Sequence, residues 1–184
     1  MDGFLLQVFS GLANGSIYAL VALALVMIYQ STHHINLAQG EMAMFATFIA
    51  WALIQAGVPY WVAFFATIAI AFLGGLLVQR IFIKPVERAP VLNNVIVFVG
   101  LLVIFNALAG WIFDHTVKAF ESPFPVQSPV LNQYISGHQL GTLGVTLGVL
   151  LSVYAFFRFT PIGLAMRAAA QNPDSAALVG IRVS

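Results

Sequence analysis

Five long apolar stretches, at about 12–29, 41–56, 60–79, 91–113 and 140–157, constrain this chain more than any other feature. A helix needs ~20 mostly apolar residues to cross the ~30 Å hydrocarbon core of a bilayer. Inside that core every backbone amide must be satisfied within the protein, which leaves helices or a closed barrel. A barrel shows segments of ~10 residues in which polar positions alternate with apolar ones. The run from Val95 to Phe105 is apolar throughout, apart from Gly100, and that selects helices. With 61% hydrophobic and 7% charged residues in 184, the chain lacks the polar surface of a water-soluble globule. The expected fold is an all-α polytopic transmembrane bundle of about five spans.

The few charges orient it. Six of the seven basic residues fall in two clusters: Arg80, Lys84 and Arg88 between the third and fourth spans, and Arg158, Arg167 and Arg182 after the fifth. Two crossings separate the clusters, so they share a side, and the positive-inside rule makes that side cytoplasmic. Lys118 is alone in the opposite loop. Counting back, Met1 and Asp2 lie outside and the C-terminus inside. A net charge of +1 points to neither nucleic acid nor an acidic partner. Asp2 stands where a secretory signal carries basic residues, and no small-residue cleavage site follows, so no such signal is expected. The absence of cysteine removes disulfides, thiolate chemistry and cysteine-ligated metals.

Within the first span, Gly11 and Gly15 form a GxxxG spacing extended by Ala19 and Ala22, which suits close helix packing; Asn14 and Ser16 are placed to hydrogen-bond across it. Residues 30–41 are polar, and the apolar stretch after them is short. A short span after a polar break is either a cytoplasmic loop followed by a short helix or a discontinuous helix whose backbone lines a path. In the second case Asn36, Gly40 and Glu41 are the candidate path residues. Tyr60 and Trp61 follow a tight external turn at the depth where aromatic belts form. Pro90 suits the start of the fourth helix, Asn93 and Asn94 open that span, and Asn106 within it is expected to face other helices rather than lipid. The external loop at 114–139 holds Pro123, Pro125 and Pro129.

Residues 160–181 read as helix, turn, helix. Pro161 starts the first helix, and Asn172 caps the second with Pro173 at its first position and Asp174 near its positive end. Gly180 closes it. Ile162, Met166, Ala169, Ala176, Leu178 and Val179 supply small or apolar faces, which suit either docking in another protein's groove or lying on the chain's own membrane domain. Nothing here supports catalysis. Neither lysine, Lys84 or Lys118, sits in a phosphate-binding G-x-x-x-x-G-K-[ST] loop, so the chain itself is not expected to hydrolyse nucleotide. His33 and His34 would point about 100° apart on a helix, and His115 and His138 are isolated, so no metal or other cofactor is expected. Glu41 alone offers no relay of buried carboxylates; its position also suits the first turn of a helix.

Two stretches together resemble the permease subunits of ABC importers for branched-chain amino acids, the hydrophobic amino acid uptake group. One runs from Gly11-Leu12 through Gly15-Ser16-Ile17-Tyr18-Ala19-Leu20 and Ile28-Tyr29 to Ile35-Asn36-Leu37-Ala38-Gln39-Gly40-Glu41. The other is Thr160-Pro161-Ile162-Gly163-Leu164-Ala165-Met166-Arg167-Ala168 with Asn172-Pro173, Ala176-Ala177 and Gly180-Ile181, similar to the cytoplasmic loop through which such permeases meet their ATPases. The family usually has His where this chain has Gln39. The resemblance covers essentially the whole chain, as an N-terminal portion of a permease, with 160–184 as the coupling loop. It implies a bacterial inner-membrane importer subunit with cytoplasmic ATPase subunits that hydrolyse ATP, a second related permease and an external substrate-binding protein as partners. It assigns Gly163, Met166, Arg167, Ala168, Asn172, Ala176 and Gly180 to ATPase coupling, with Gly163 and Ala168 facing the docking groove. The residues alone leave urea and short amides open as substrates. They also leave open an ATPase-independent channel or secondary transporter and a structural membrane subunit.

Overall fold

A computed structural model describes residues 2–32, 34–86, 89–114, 116–120, 122–124 and 136–181. His33, Glu87, Arg88, His115, Glu121, Pro125, Pro129 and Arg182 therefore lie outside the described residues, and with them part of the basic clusters and most of the external loop. The helices are α1 (Asp2–Thr32), α2 (Gln39–Gln55), α3 (Tyr60–Val78), α4 (Val91–Phe113), α5 (Gly137–Phe159), α6 (Pro161–Gln171) and α7 (Pro173–Leu178). No strand occurs among the described residues. Among the described residues four stretches are long and apolar enough to cross a membrane: Leu6–Gln30, Tyr60–Val86, Leu92–Phe113 and Gly137–Phe159. The second expected span differs. It is the 17-residue α2, about 25 Å long at 1.5 Å per residue and so shorter than the hydrocarbon core.

The chain forms two compact units, one with α1, α5, α6 and α7 and the other with α2, α3 and α4. In the first unit α1 packs along α5. Ala13 and Thr146 are buried at the contact; Thr146 Oγ1 donates to Ser16 Oγ (3.3 Å), and Ser16 Oγ donates to the Ala13 carbonyl (2.7 Å). Ser16 thus makes the interhelical bond expected of it, whereas Asn14 is exposed. Gly11 and Gly15 do not face this contact. A Cβ at either would meet nothing within 4 Å, because both lie about 200° round the helix from Ala13. The close approach expected of the GxxxG pair is made instead by Ala13 and Ser16.

In the second unit α2 and α3 form an antiparallel hairpin, and α4 runs parallel to α2. The hairpin turns at Gly57 (φ 87°). There the Gly57 amide bonds the Ile54 carbonyl (2.9 Å) and the Val58 amide the Leu53 carbonyl (3.1 Å), a Schellman closure that needs a left-handed residue. The third helix does not stop at Arg80. Ile81, Phe82 and Ile83 carry it on through a π turn (Gln79–Ile83) and a 3-10 turn (Lys84–Val86), and Ile83 is buried with Ala38, Phe98 and Leu101 in the core. Rings of α2 and α4 extend the packing: Phe45 meets Phe105 edge-on at 5.5 Å, and Phe48 stacks on Phe113 at 5.0 Å. This burial has a direct consequence for α1. Ala13→Leu will lower the thermal stability of the detergent-solubilised protein by about 1–3 kcal/mol through overpacking, while Gly15→Leu leaves it within ~0.5 kcal/mol, both read from unfolding midpoints.

Candidate functional site

The interruption between α1 and α2 is the most unusual local structure in the second unit. Residues 34–38 are not helical, and their exposure alternates: Asn36 and Ala38 are buried, Ile35 and Leu37 exposed. The Asn36 side chain organises the turn into α2. Its Oδ1 accepts from the Ala38 amide (3.0 Å), and its backbone carbonyl accepts from the Gln39 amide (3.2 Å). A short polar side chain that bonds the backbone two residues on supplies what the missing helix does not.

Three contacts fix the depth of this segment. His34 Nε2 lies 2.7 Å from Asn94 Nδ2 near the start of α4. Ala38, fully buried, packs with Phe98 and Leu101. Asn106 Nδ2 donates to Glu41 Oε2 at 3.2 Å. Asn94 and Asn106 are about 18 Å apart along α4, so 34–41 runs beside the first half of a membrane-spanning helix. The polar break therefore packs beside α4, a stretch long and apolar enough to cross a membrane, as the reading of irregular backbone along a path requires. Such backbone is stable only where it is buried in protein or lines a cavity.

The three candidate path residues divide. Asn36 is a buried turn former. Gly40 faces open space, since a Cβ there would meet nothing within 4 Å. Glu41 sits in the first turn of α2 and also holds Asn106, the in-span asparagine expected to face another helix. Asn94 was visible in the sequence only as a polar residue opening a span. In the structure it is almost wholly buried, and its amide anchors His34. His138 bonds Ser122 (2.9 Å).

The helical hairpin of the first unit has the expected grammar. Thr160 caps α6 by accepting from the Gly163 amide (3.0 Å), and Asn172 caps α7 by accepting from the Ser175 amide (3.0 Å). Gly180 (φ 86°) closes α7 with its amide on the Ala177 carbonyl and that of Ile181 on Ala176, both at 3.1 Å. Gly163 does not face outward. It is buried, and a Cβ there would lie 2.6 Å from Phe157 Cα and closer still to the Phe156 carbonyl oxygen. The Thr160 hydroxyl also donates to that carbonyl (2.6 Å). The α5–α6 elbow is therefore locked backbone to backbone. Ala176 is likewise buried and Ala168 half-buried, whereas Met166 and Arg167 are exposed. Around them Ile162, Leu164, Leu178 and Val179 leave an exposed apolar surface, with Leu178 at 88% exposure.

Apolar spans, a non-helical break between α1 and α2 and a capped helical hairpin define a multi-pass, all-α membrane protein. Residues 7–184 match the family described as the branched-chain amino acid transport system / permease component, and the chain belongs to that family. It is similar to the high-affinity branched-chain amino acid transport system permease protein LivH of Escherichia coli K12, with 29% identity over 196 residues. It is similar also to the permease protein BraD of Pseudomonas aeruginosa, at 28% over 192 residues. The matches cover 97% of this chain and 62% of either relative, so the chain spans under two thirds of their length. No solved structure matches it significantly.

Two substitutions test this geometry. Gly163→Ala will loosen the elbow even without any partner, read as faster proteolysis between α5 and α6 and a loss of about 1–3 kcal/mol from overpacking against backbone. Asn94→Ala strips half-buried His34 of a hydrogen-bond partner and will cost about 1–3 kcal/mol in thermal unfolding, whereas Asn93→Ala, at an exposed neighbour, will change it little.

Proposed function

We propose that this chain is the transmembrane permease component of an ATP-driven importer for branched-chain amino acids in the bacterial cytoplasmic membrane. Its N-terminus is outside, and it works with cytoplasmic ATPase subunits, a second related permease and an external substrate-binding protein. The observation that carries the reading is the non-helical segment at 34–38 beside α4, in a chain whose family is a permease. The polar groups of such a segment offer donors and acceptors to a zwitterion without a full charge that would trap it. Glu41 and Asn106 stand at its end.

The first unit supplies the mechanical side. ATPase subunits dock on the apolar surface of α6 and α7 around Arg167, whose guanidinium offers a charge-assisted contact. Motion of that hairpin passes to α5 through the elbow at Thr160 and Gly163, which has no slack to absorb it. From α5 it passes to α1 at Ser16 and Thr146. Hydrolysis belongs to the partner subunits, and this chain converts their closure into tilting of its spans.

ATP-dependent uptake of labelled leucine by the complete permease with its partners is the direct test. Arg167→Glu and Leu178→Asp are expected to reduce ATPase co-purification and uptake about tenfold or more, the scale of a lost charge-assisted or buried apolar contact, with unchanged membrane insertion. Single cysteines at Ser122 and Ser175 are expected to label from outside and inside respectively. Normal ATPase association of both variants, or labelling of both cysteines from outside, would refute this arrangement.

A further inference from the structure

We propose that residues 116–120, the strap that follows α4, form an external gate over the groove between α2 and α4, an inference that rests on the importer reading and its topology above. A cleft lies in this groove. Asn106, Met44, Phe48 and Ala109 line it from the helices, and Thr116 and Val117 line it from the strap. Asn106 lies about 10 Å along α4 from the end of that helix at Phe113, and it is the residue that bonds Glu41 (3.2 Å). The strap and the polar pair at the end of the 34–38 segment therefore border one cavity. A solute that enters this groove from the side the positive-inside rule makes external meets the strap first and the pair second.

Two aromatic contacts hold the strap. Lys118 Nζ lies 5.2 Å from the centre of the Trp51 ring in the last turns of α2, and Phe120 meets Tyr60, at the start of α3, edge-on at 6.1 Å. Both anchors belong to the α2–α3 hairpin, which the hydrogen-bonded turn at Gly57 makes one piece, so the strap can move against a fixed frame. Little else restrains it. Its residues are not helical, Lys118 is half-buried, and Thr116, Val117, Ala119 and Phe120 are exposed. Segments with so little burial open at low free energy, and lids are drawn from them. An ammonium over a tryptophan face is the best of the cation–π pairs, yet a partly exposed one contributes only a modest bias. That is what a gate needs: enough attraction to keep the strap down at rest, and too little to prevent release in each transport cycle.

The test uses the permease assembled with its partners in nanodiscs, which leave both membrane faces open to reagent, with a single Ala109→Cys substitution. Ala109 is buried at the cleft, and the chain has no other cysteine. The rate at which this chain takes up a water-soluble thiol reagent then reports how often the strap lifts. Lys118→Met, which keeps the stem and removes the charge, is expected to speed labelling about two- to fivefold, the scale of a partly exposed cation–π contact. Lys118→Arg, which still stacks on Trp51, is expected to keep it slow. A second arm joins Trp51→Cys to Lys118→Cys with a cleavable dithiol cross-linker in cells. The cross-link is expected to cut ATP-dependent leucine uptake about tenfold or more, and its cleavage to restore it, with the native chain treated alike as the control for thiols on the partners. Equal labelling of the Lys118→Met and Lys118→Arg variants, or full uptake with the cross-link in place, overturns the proposal. If the native chain itself takes up no leucine the importer reading falls, and the labelling rates alone then decide for or against the strap.

Discussion

Every backbone donor and acceptor of this chain that lies in hydrocarbon must find a partner inside the protein, because no water is there to supply one. The arrangement of the described residues follows from that demand. Several helix ends are closed by a specific device: Schellman turns at Gly57 and Gly180, side-chain caps from Ser136, Thr160 and Asn172. Where a helix is interrupted at membrane depth, Asn36 bonds the backbone itself, and Ala38 is sealed among Phe98, Leu101 and Ile83. An interruption in that place is expensive unless it is so enclosed.

Each unit has its own physical character. The first is a chain of stiff joints, with α7 folded on α6, α6 locked to α5 through Gly163, and α5 bonded to α1 through Thr146 and Ser16. Stiffness of this kind transmits displacement rather than absorbing it. The second unit concentrates polar side chains along one helix, with Asn94, Asn106 and Asp114 set at successive levels of α4. The first two are engaged by the irregular segment and by α2, and the last is at a cleft. Both units fall within the residues that match the permease family.

Much of the outline was legible in the residues. Apolar length announced the spans, proline and asparagine placed the starts of α6 and α7, and Gly180 announced the end of α7, because these signals act over a few residues and need no distant partner. The 17-residue α2 was foreshadowed by the shortness of its apolar stretch. The faces of the helices were not legible. Gly11 and Gly15 have the spacing of a packing motif, yet Ala13 and Ser16 meet α5. Gly163 looked like part of a docking surface, yet it is the point where two backbones of the same unit touch. Spacing shows that a close approach is possible, but not which helix makes it.

What the sequence by itself determined is therefore the class: an all-α chain crossing a bilayer, with an interruption near 30–41 and a capped hairpin at 160–181, each fixed by local chemistry and hydropathy. What only the tertiary structure decided is which polar groups meet. Glu41 and Asn106 lie 65 positions apart, and His34 and Asn94 lie 60 apart. Their pairing depends on α2 running parallel to α4 in one register, and so does the distinction between a loop in water and broken helix at membrane depth. No local signal encodes that register. It is set by the packing of Phe45 and Phe48 against Phe105 and Phe113 and of Ala38 into the core, contacts that exist only once the helices have come together.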